Sequence, residues 1–115
     1  MRRRMQAGDL FARSITARAN RVKVLSESQI EAALESLPNW RRDGDTILRD
    51  FKAESVTEAA ALIPRLAAYA ETMNHHPEVF WVYDKLTIGF TTHDANGLTA
   101  LDVRMASYIE RWLHD

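Results

Sequence analysis

Apolar residues recur at helical spacing in three stretches of this chain, and alternate with polar ones in two others. Ile30, Ala33, Leu34 and Leu37 lie three to four positions apart, the period of one helix face. Ser26 with Gln29, or Ser28 with Glu31, supplies a capping box ahead of them, and Pro38 ends the run. A longer stripe, Val56, Ala59, Ile63, Leu66, Ala70 and Met73, follows the box formed by Ser55 and Glu58. Pro64 lies inside it and predicts a kink, because proline removes a helical N–H. Pro77 keeps its predecessor out of the α region, so the helix must end near Asn74–His76. The third stripe is Leu101, Met105, Tyr108, Ile109 and Trp112, capped by Thr99 with Asp102 three residues on.

The intervening stretches read as hairpins. In WRRDGDTILRDF, strands are predicted at about residues 39–42 and 46–52, with Ile47 and Phe51 facing the core. Asp43-Gly44 marks a type I′ turn. In EVFWVYDKLTIGFTT, Phe80 and Val82 can share a face with Leu86, Ile88 and Phe90 only if Val82 opposes Leu86. That requires a three-residue loop, Tyr83-Asp84-Lys85, and turns Trp81, Gly89 and Thr91 to the other face. An outward Trp81 calls for cover, which a second subunit would supply. The order α-β-β-α-β-β-α predicts an α+β fold, a four-stranded antiparallel sheet with helices packed on one face.

Composition narrows the classes. The 115 residues suit one domain, and 46% apolar with 27% charged is ordinary for a globular chain. With no cysteine, disulfides, thiolate nucleophiles and cysteine-held zinc are excluded. No apolar run approaches the ~20 residues that a membrane span needs. The net charge of −1 hides an asymmetry: residues 1–24 hold seven basic side chains and one acid, the remainder eight basic and fifteen acidic. An acidic body is a poor partner for nucleic acid. Residues 1–24 are therefore set apart as a basic extension: a flexible arm, an organelle transit peptide that would be removed, or the product of an upstream start codon. The domain proper spans residues 25–115. The cytoplasm is the expected location, with an organelle as the alternative if the arm is a transit peptide.

Candidate chemistry gathers at element ends. His75 and His76 close the long helix and His93 follows the last strand; His114 stands next to the C-terminus and is set aside. Glu71 is one turn before His75, and Asp102 lies in the first turn of the last helix. Each has an ordinary reading: histidine is favoured at a helix C-terminus, Asp102 completes a capping box, and Glu71 suits a solvated face. Together they leave three imidazoles on one small domain. Zinc could use three histidines and a carboxylate, but adjacent helical residues point about 100° apart, unlike ligands at i and i+4. Acid–base chemistry suits imidazole better, since its pKa near ~6.5 lets one ring donate while another accepts.

The residues also carry a resemblance. Glu71-xxx-His75-His76-Pro77, then Tyr83, His93 and Asp102, with the strings NHHPE, VYDKL, TTHDANGL and ASYIE, resemble the pterin-4a-carbinolamine dehydratases over about residues 25–113. The resemblance implies dehydration of 4a-hydroxytetrahydropterin to quinonoid dihydropterin, recycling the pterin of aromatic amino acid hydroxylases without metal or other cofactor. It implies His75, His76 and His93 as catalytic residues: His75 and His93 act at the hydroxyl, and His76 holds the ring and assists at N5. Asn74, His75, His76, Thr91, Thr92, His93 and Asp94 would contact substrate, the second group through backbone atoms on the pterin's amide edge. Glu71 would orient His75 or His76, and Asp102 would orient His93. A homodimer or homotetramer is implied, with a functional link to a hydroxylase. The alternative is a regulatory or dimerisation module on the same scaffold, without catalysis.

Overall fold

The structure, a computed structural model, describes residues 23–114. All but Lys23 and Val24 of the basic extension lies outside the described residues. Helix α1 (Glu27–Glu35) starts where the capping box predicts: Ser26 Oγ accepts the Gln29 N–H, and Gln29 Oε1 accepts the Ser26 N–H at 2.8 Å. Strands β1 (Trp40–Asp43) and β2 (Thr46–Lys52) pair with Asp43 opposite Thr46, so the loop is Gly44-Asp45. Of those two, only Gly44 has a positive φ (62°). That is the pattern of a type II′ turn rather than the expected I′, and it lets β1 extend to Asp43.

Helix α2 (Val56–Met73) runs unbroken through Pro64, with Ser55 Oγ capping the Glu58 N–H at 3.0 Å. Strands β3 (Glu78–Val82) and β4 (Lys85–Phe90) follow, then a short 3-10 turn (His93–Ala95) and helix α3 (Ala100–Glu110). The sheet is antiparallel in the order β1-β2-β4-β3, so the two central strands come from different hairpins. The α-β-β-α-β-β-α order is as predicted.

One face of the sheet is covered. Ile47 and Phe51 from β2 and Leu86, Ile88 and Phe90 from β4 form one cluster with Ile30 of α1, Ala59, Leu62, Leu66 and Ala70 of α2, and Met105, Ala106 and Ile109 of α3. The stripe of α2 is rotated slightly from expectation: Leu62 is buried, while Val56 is exposed. On α3, Ala106 joins the core and Tyr108 lies at the rim, stacked on Tyr69 with ring centroids 4.2 Å apart.

The second hairpin departs from its predicted register. Val82 pairs with Lys85 and Trp81 with Leu86, across the two-residue loop Tyr83-Asp84. The loop is pinned from β2: the Asp84 carbonyl accepts the Ala53 N–H at 2.7 Å, and its carboxylate pairs with Lys52 Nζ at 2.6 Å. Directly opposed residues share a face. Trp81 therefore stands on the helix side at the sheet edge, and Phe80 (68% exposed) and Val82 lie on the open face, which also carries Leu48 of β2.

The covered face also holds a charge. Arg49, between Ile47 and Phe51, is 2% exposed. Its Nε and Nη2 donate to the two carboxylate oxygens of Glu110 at 2.9 and 3.0 Å, and Trp40 Nε1 donates to the same group at 2.7 Å. Burial alone would push the Glu110 carboxyl up, but the hydrogen bonds from Arg49, Trp40 and Asn39 outweigh it and hold it below its usual value of 4.5. The end of α3 is thereby fastened to the sheet.

Candidate active site

The end of α2 aims the histidine pair. Asn74 takes the left-handed conformation (φ 52°, ψ 43°), which asparagine adopts more readily than most residues. The Asn74 N–H bonds to the Glu71 carbonyl and the His75 N–H reaches back to the Ala70 carbonyl at 3.0 Å, a Schellman closure. The chain leaves the helix at this point, so His75 and His76 no longer follow its screw and diverge.

His75 turns inward. Its side chain is only 10% exposed, and Nε2 lies 2.6 Å from Asp102 Oδ1. The ring stacks on Phe90, with centroids 6.0 Å apart and planes 12° from parallel. Asp102 is fully buried. Its other oxygen, Oδ2, accepts the Thr92 hydroxyl at 2.7 Å and the Thr99 N–H at 2.9 Å. The capping box predicted at Thr99 is present, and its carboxylate also serves His75. Asp102 therefore holds His75, not His93 as the resemblance implied, because β4 and α3 bring the carboxylate under the end of α2.

His76 turns outward and hydrogen-bonds through Nε2 to Glu71 Oε2, both groups lying largely in solvent. Of the two partners considered for Glu71, the structure selects His76. The His93 ring is exposed, and no side-chain hydrogen bond to it occurs among the described residues. A 3-10 turn carries it: the Asn96 N–H bonds to the His93 carbonyl at 3.0 Å, and the backbones of Thr92 and Gly97 pair across the base of the turn.

All seven residues expected to contact substrate meet here. Asn74, His75 and His76 from the end of α2 face Thr91, Thr92, His93 and Asp94 from the end of β4 across an open pocket of about 250 Å³. Thr92 differs from the others in kind: it is buried, and its hydroxyl is spent on Asp102 rather than offered to the pocket. Glu71 and Asp102 stand behind the pocket, each on a different imidazole. Sequence reasoning did not find the Thr99 hydroxyl, 2.7 Å from that of Thr92; its only signal was the helix cap. Among the described residues no group of three or more histidine, aspartate or glutamate side chains converges as a set of metal ligands. The carboxylates are divided between two rings instead. No described helix is long and apolar enough to cross a membrane.

Three imidazoles, one buried against a carboxylate, one in solvent with a carboxylate and one with no side-chain partner among the described residues, can move protons to and from a flat heterocycle. A family model described as pterin 4 alpha carbinolamine dehydratase matches residues 23–112. A protein of Nocardia farcinica named "putative pterin-4-alpha-carbinolamine dehydratase" is 42% identical over 88 residues, spanning 76% of this chain and 93% of its own. One of the same name from Novosphingobium aromaticivorans is 41% identical over 91 residues, or 77% and 95% of the two chains. The crystal structure of a transcriptional coactivator/pterin dehydratase from Brucella melitensis superposes with a TM-score of 0.76 at 33% identity, covering 80% of this chain and 100% of that one.

Proposed function

Because the chain belongs to the pterin-4-alpha-carbinolamine dehydratase family, we propose that it dehydrates a 4a-hydroxytetrahydropterin by acid–base catalysis from His75, His76 and His93. The observation that carries this reading is the gathering of three differently partnered imidazoles around one pocket.

The reaction breaks the C4a–O bond and removes the proton on N5. One imidazolium gives a proton to the departing hydroxyl, which leaves as water. The N5 lone pair closes the N5=C4a double bond, and a neutral imidazole accepts the N5 proton. Protons given and taken balance, so quinonoid dihydropterin and water are the only products. His75 and His93 stand at the hydroxyl; His76 steadies the ring and assists at N5. Asn74, Thr91 and Asp94 complete the walls, with backbone groups of the 91–94 segment meeting the amide edge of the pterin. Asp102 orients His75, and Glu71 orients His76. Neither proton transfer calls for a metal or another cofactor.

In this role the protein recycles the pterin used by an aromatic amino acid hydroxylase, as a soluble homo-oligomer in the cytoplasm. The test is a coupled assay in which such a hydroxylase generates the 4a-carbinolamine and purified protein accelerates its loss. Acceleration by wild type, with loss in His75→Ala and His93→Ala, supports the reading. No acceleration by wild type overturns it and favours a regulatory module on the same scaffold.

A further inference from the structure

Thr92 and Thr99 form, we infer, a hydroxyl relay that sets the tautomer of His75 and so decides which ring nitrogen meets the substrate. The assignment deepens the dehydratase reading and rests on it for its catalytic meaning, though not for its geometry.

The argument is a count of protons. The Thr92 hydroxyl donates to Asp102 Oδ2 at 2.7 Å. A hydroxyl has one proton to give. In its 2.7 Å contact with Thr99 Oγ1, Thr92 must therefore accept, and Thr99 must donate. Thr99 Oγ1 in turn accepts the Leu101 N–H at 3.2 Å. The polarity of the chain is thus fixed from the first turn of α3: Leu101 N–H to Thr99, Thr99 to Thr92, Thr92 to the carboxylate. Oδ2 also receives the Thr99 N–H at 2.9 Å, so two donors already point at it.

That leaves Oδ1 for His75 Nε2, 2.6 Å away. A carboxylate only accepts, so Nε2 must carry the hydrogen. In the neutral ring the lone pair is then confined to Nδ1, the nitrogen left for the pocket that His75 lines. All three supporting groups, Thr92, Thr99 and Asp102, are buried, so water does not compete for these bonds. Thr92 and Thr99 are positioning residues: both hydroxyls are engaged in the hydrogen-bond chain, and both act through Asp102.

The test reads the tautomer directly. Nitrogen chemical shifts of the His75 ring in the wild-type protein, without substrate, are expected to show Nε2–H and a bare Nδ1 at a pH where the ring is neutral. Nδ1–H in folded wild type would overturn the relay, and this outcome needs no variant. In Thr92→Val, Oδ2 loses one of the two donors that fix it, so the carboxylate can turn away from Nε2 and the shifts are expected to report a mixture of tautomers. kcat should fall roughly tenfold, the scale of one lost hydrogen bond to a charged group, with KM little changed and the pH profile of kcat/KM displaced. Thr92→Ser should restore all three. A folded Thr92→Val protein with wild-type shifts and a wild-type pH profile would refute the proposal. Should wild type show the expected tautomer but no dehydration, the relay stands and the dehydratase reading falls.

Discussion

His75 and Asp102 are 27 residues apart in the chain and 2.6 Å apart in the fold. Their contact joins the end of one helix to the start of another, and it is the innermost point of the candidate site. Asp102→Asn keeps the shape but offers Oδ1 and Nδ2 where two oxygens accepted before. Its kcat/KM for the carbinolamine is expected to drop on the order of 10²-fold. Asp102→Ala strands the Thr92 hydroxyl and the Thr99 N–H in the interior, and is expected to cost roughly 2–3 kcal/mol in urea unfolding.

Glu71 presents the opposite case. Its pair with His76 lies in solvent, where ion pairs contribute little. Glu71→Gln should therefore unfold at nearly the wild-type urea concentration, while His76→Ala and Glu71→Gln both lower turnover. A large stability change in Glu71→Gln would contradict the exposed geometry.

Asn74 separates backbone from side chain. Asn74→Gly preserves the left-handed turn and should fold as wild type, so any rise in KM reports the lost amide. Asn74→Ala must pay for a positive φ, and is expected to lose about 1 kcal/mol in thermal or urea unfolding.

The Arg49–Glu110 pair predicts an acid limb. Hydrogen bonding holds the folded-state carboxyl of Glu110 below its usual value of 4.5, against the effect of burial. Its contribution is therefore complete above that value and is lost as pH falls through the lower, folded-state value. The difference in melting temperature between wild type and Glu110→Gln should be constant from neutral pH down to about 5 and shrink below 4.5. Glu110→Ala, which takes the bidentate partner from a buried guanidinium, is expected to cost roughly 3 kcal/mol or more.

The open sheet face offers a test of the proposed homo-oligomer. Phe80, opposite Thr87, and Val82, opposite Lys85, are exposed there. If subunits pair through this face, Phe80→Asp should lower the molar mass in sedimentation equilibrium, while Trp81→Ala, on the other side, has a smaller effect.

Local chemistry made much of the fold legible. Ser26, Ser55 and Thr99 marked helix starts, and Gly44 and Pro77 marked a turn and a stop. Each acts through its own backbone, within a few residues. The three histidines stood out as candidates because they lie at element ends, whereas Asn74, Thr91, Thr92 and Asp94, which line the same pocket, came only from the resemblance. What could not be read was who holds whom. Asp102 had His93 nine residues behind it and His75 across the fold, and only the sheet order decides between them. The register of β3 was hidden because Phe80, Trp81 and Val82 are all apolar, so alternation marks no face. The loop settled it, with Tyr83 at φ 53°, a conformation its side chain gives no reason to expect. Arg49 was invisible as a core residue because its partner Glu110 is 61 residues away.

Helix α3 is bound at both ends by carboxylates: Asp102 to His75 and Thr92, Glu110 to Arg49 and Trp40. They stand eight residues, about 12 Å of helix, apart. Each extra residue would turn one carboxylate by about 100° relative to the other. The helix thus works as a gauge block between the sheet and the histidine: its outer side chains are free to vary, but its length is not.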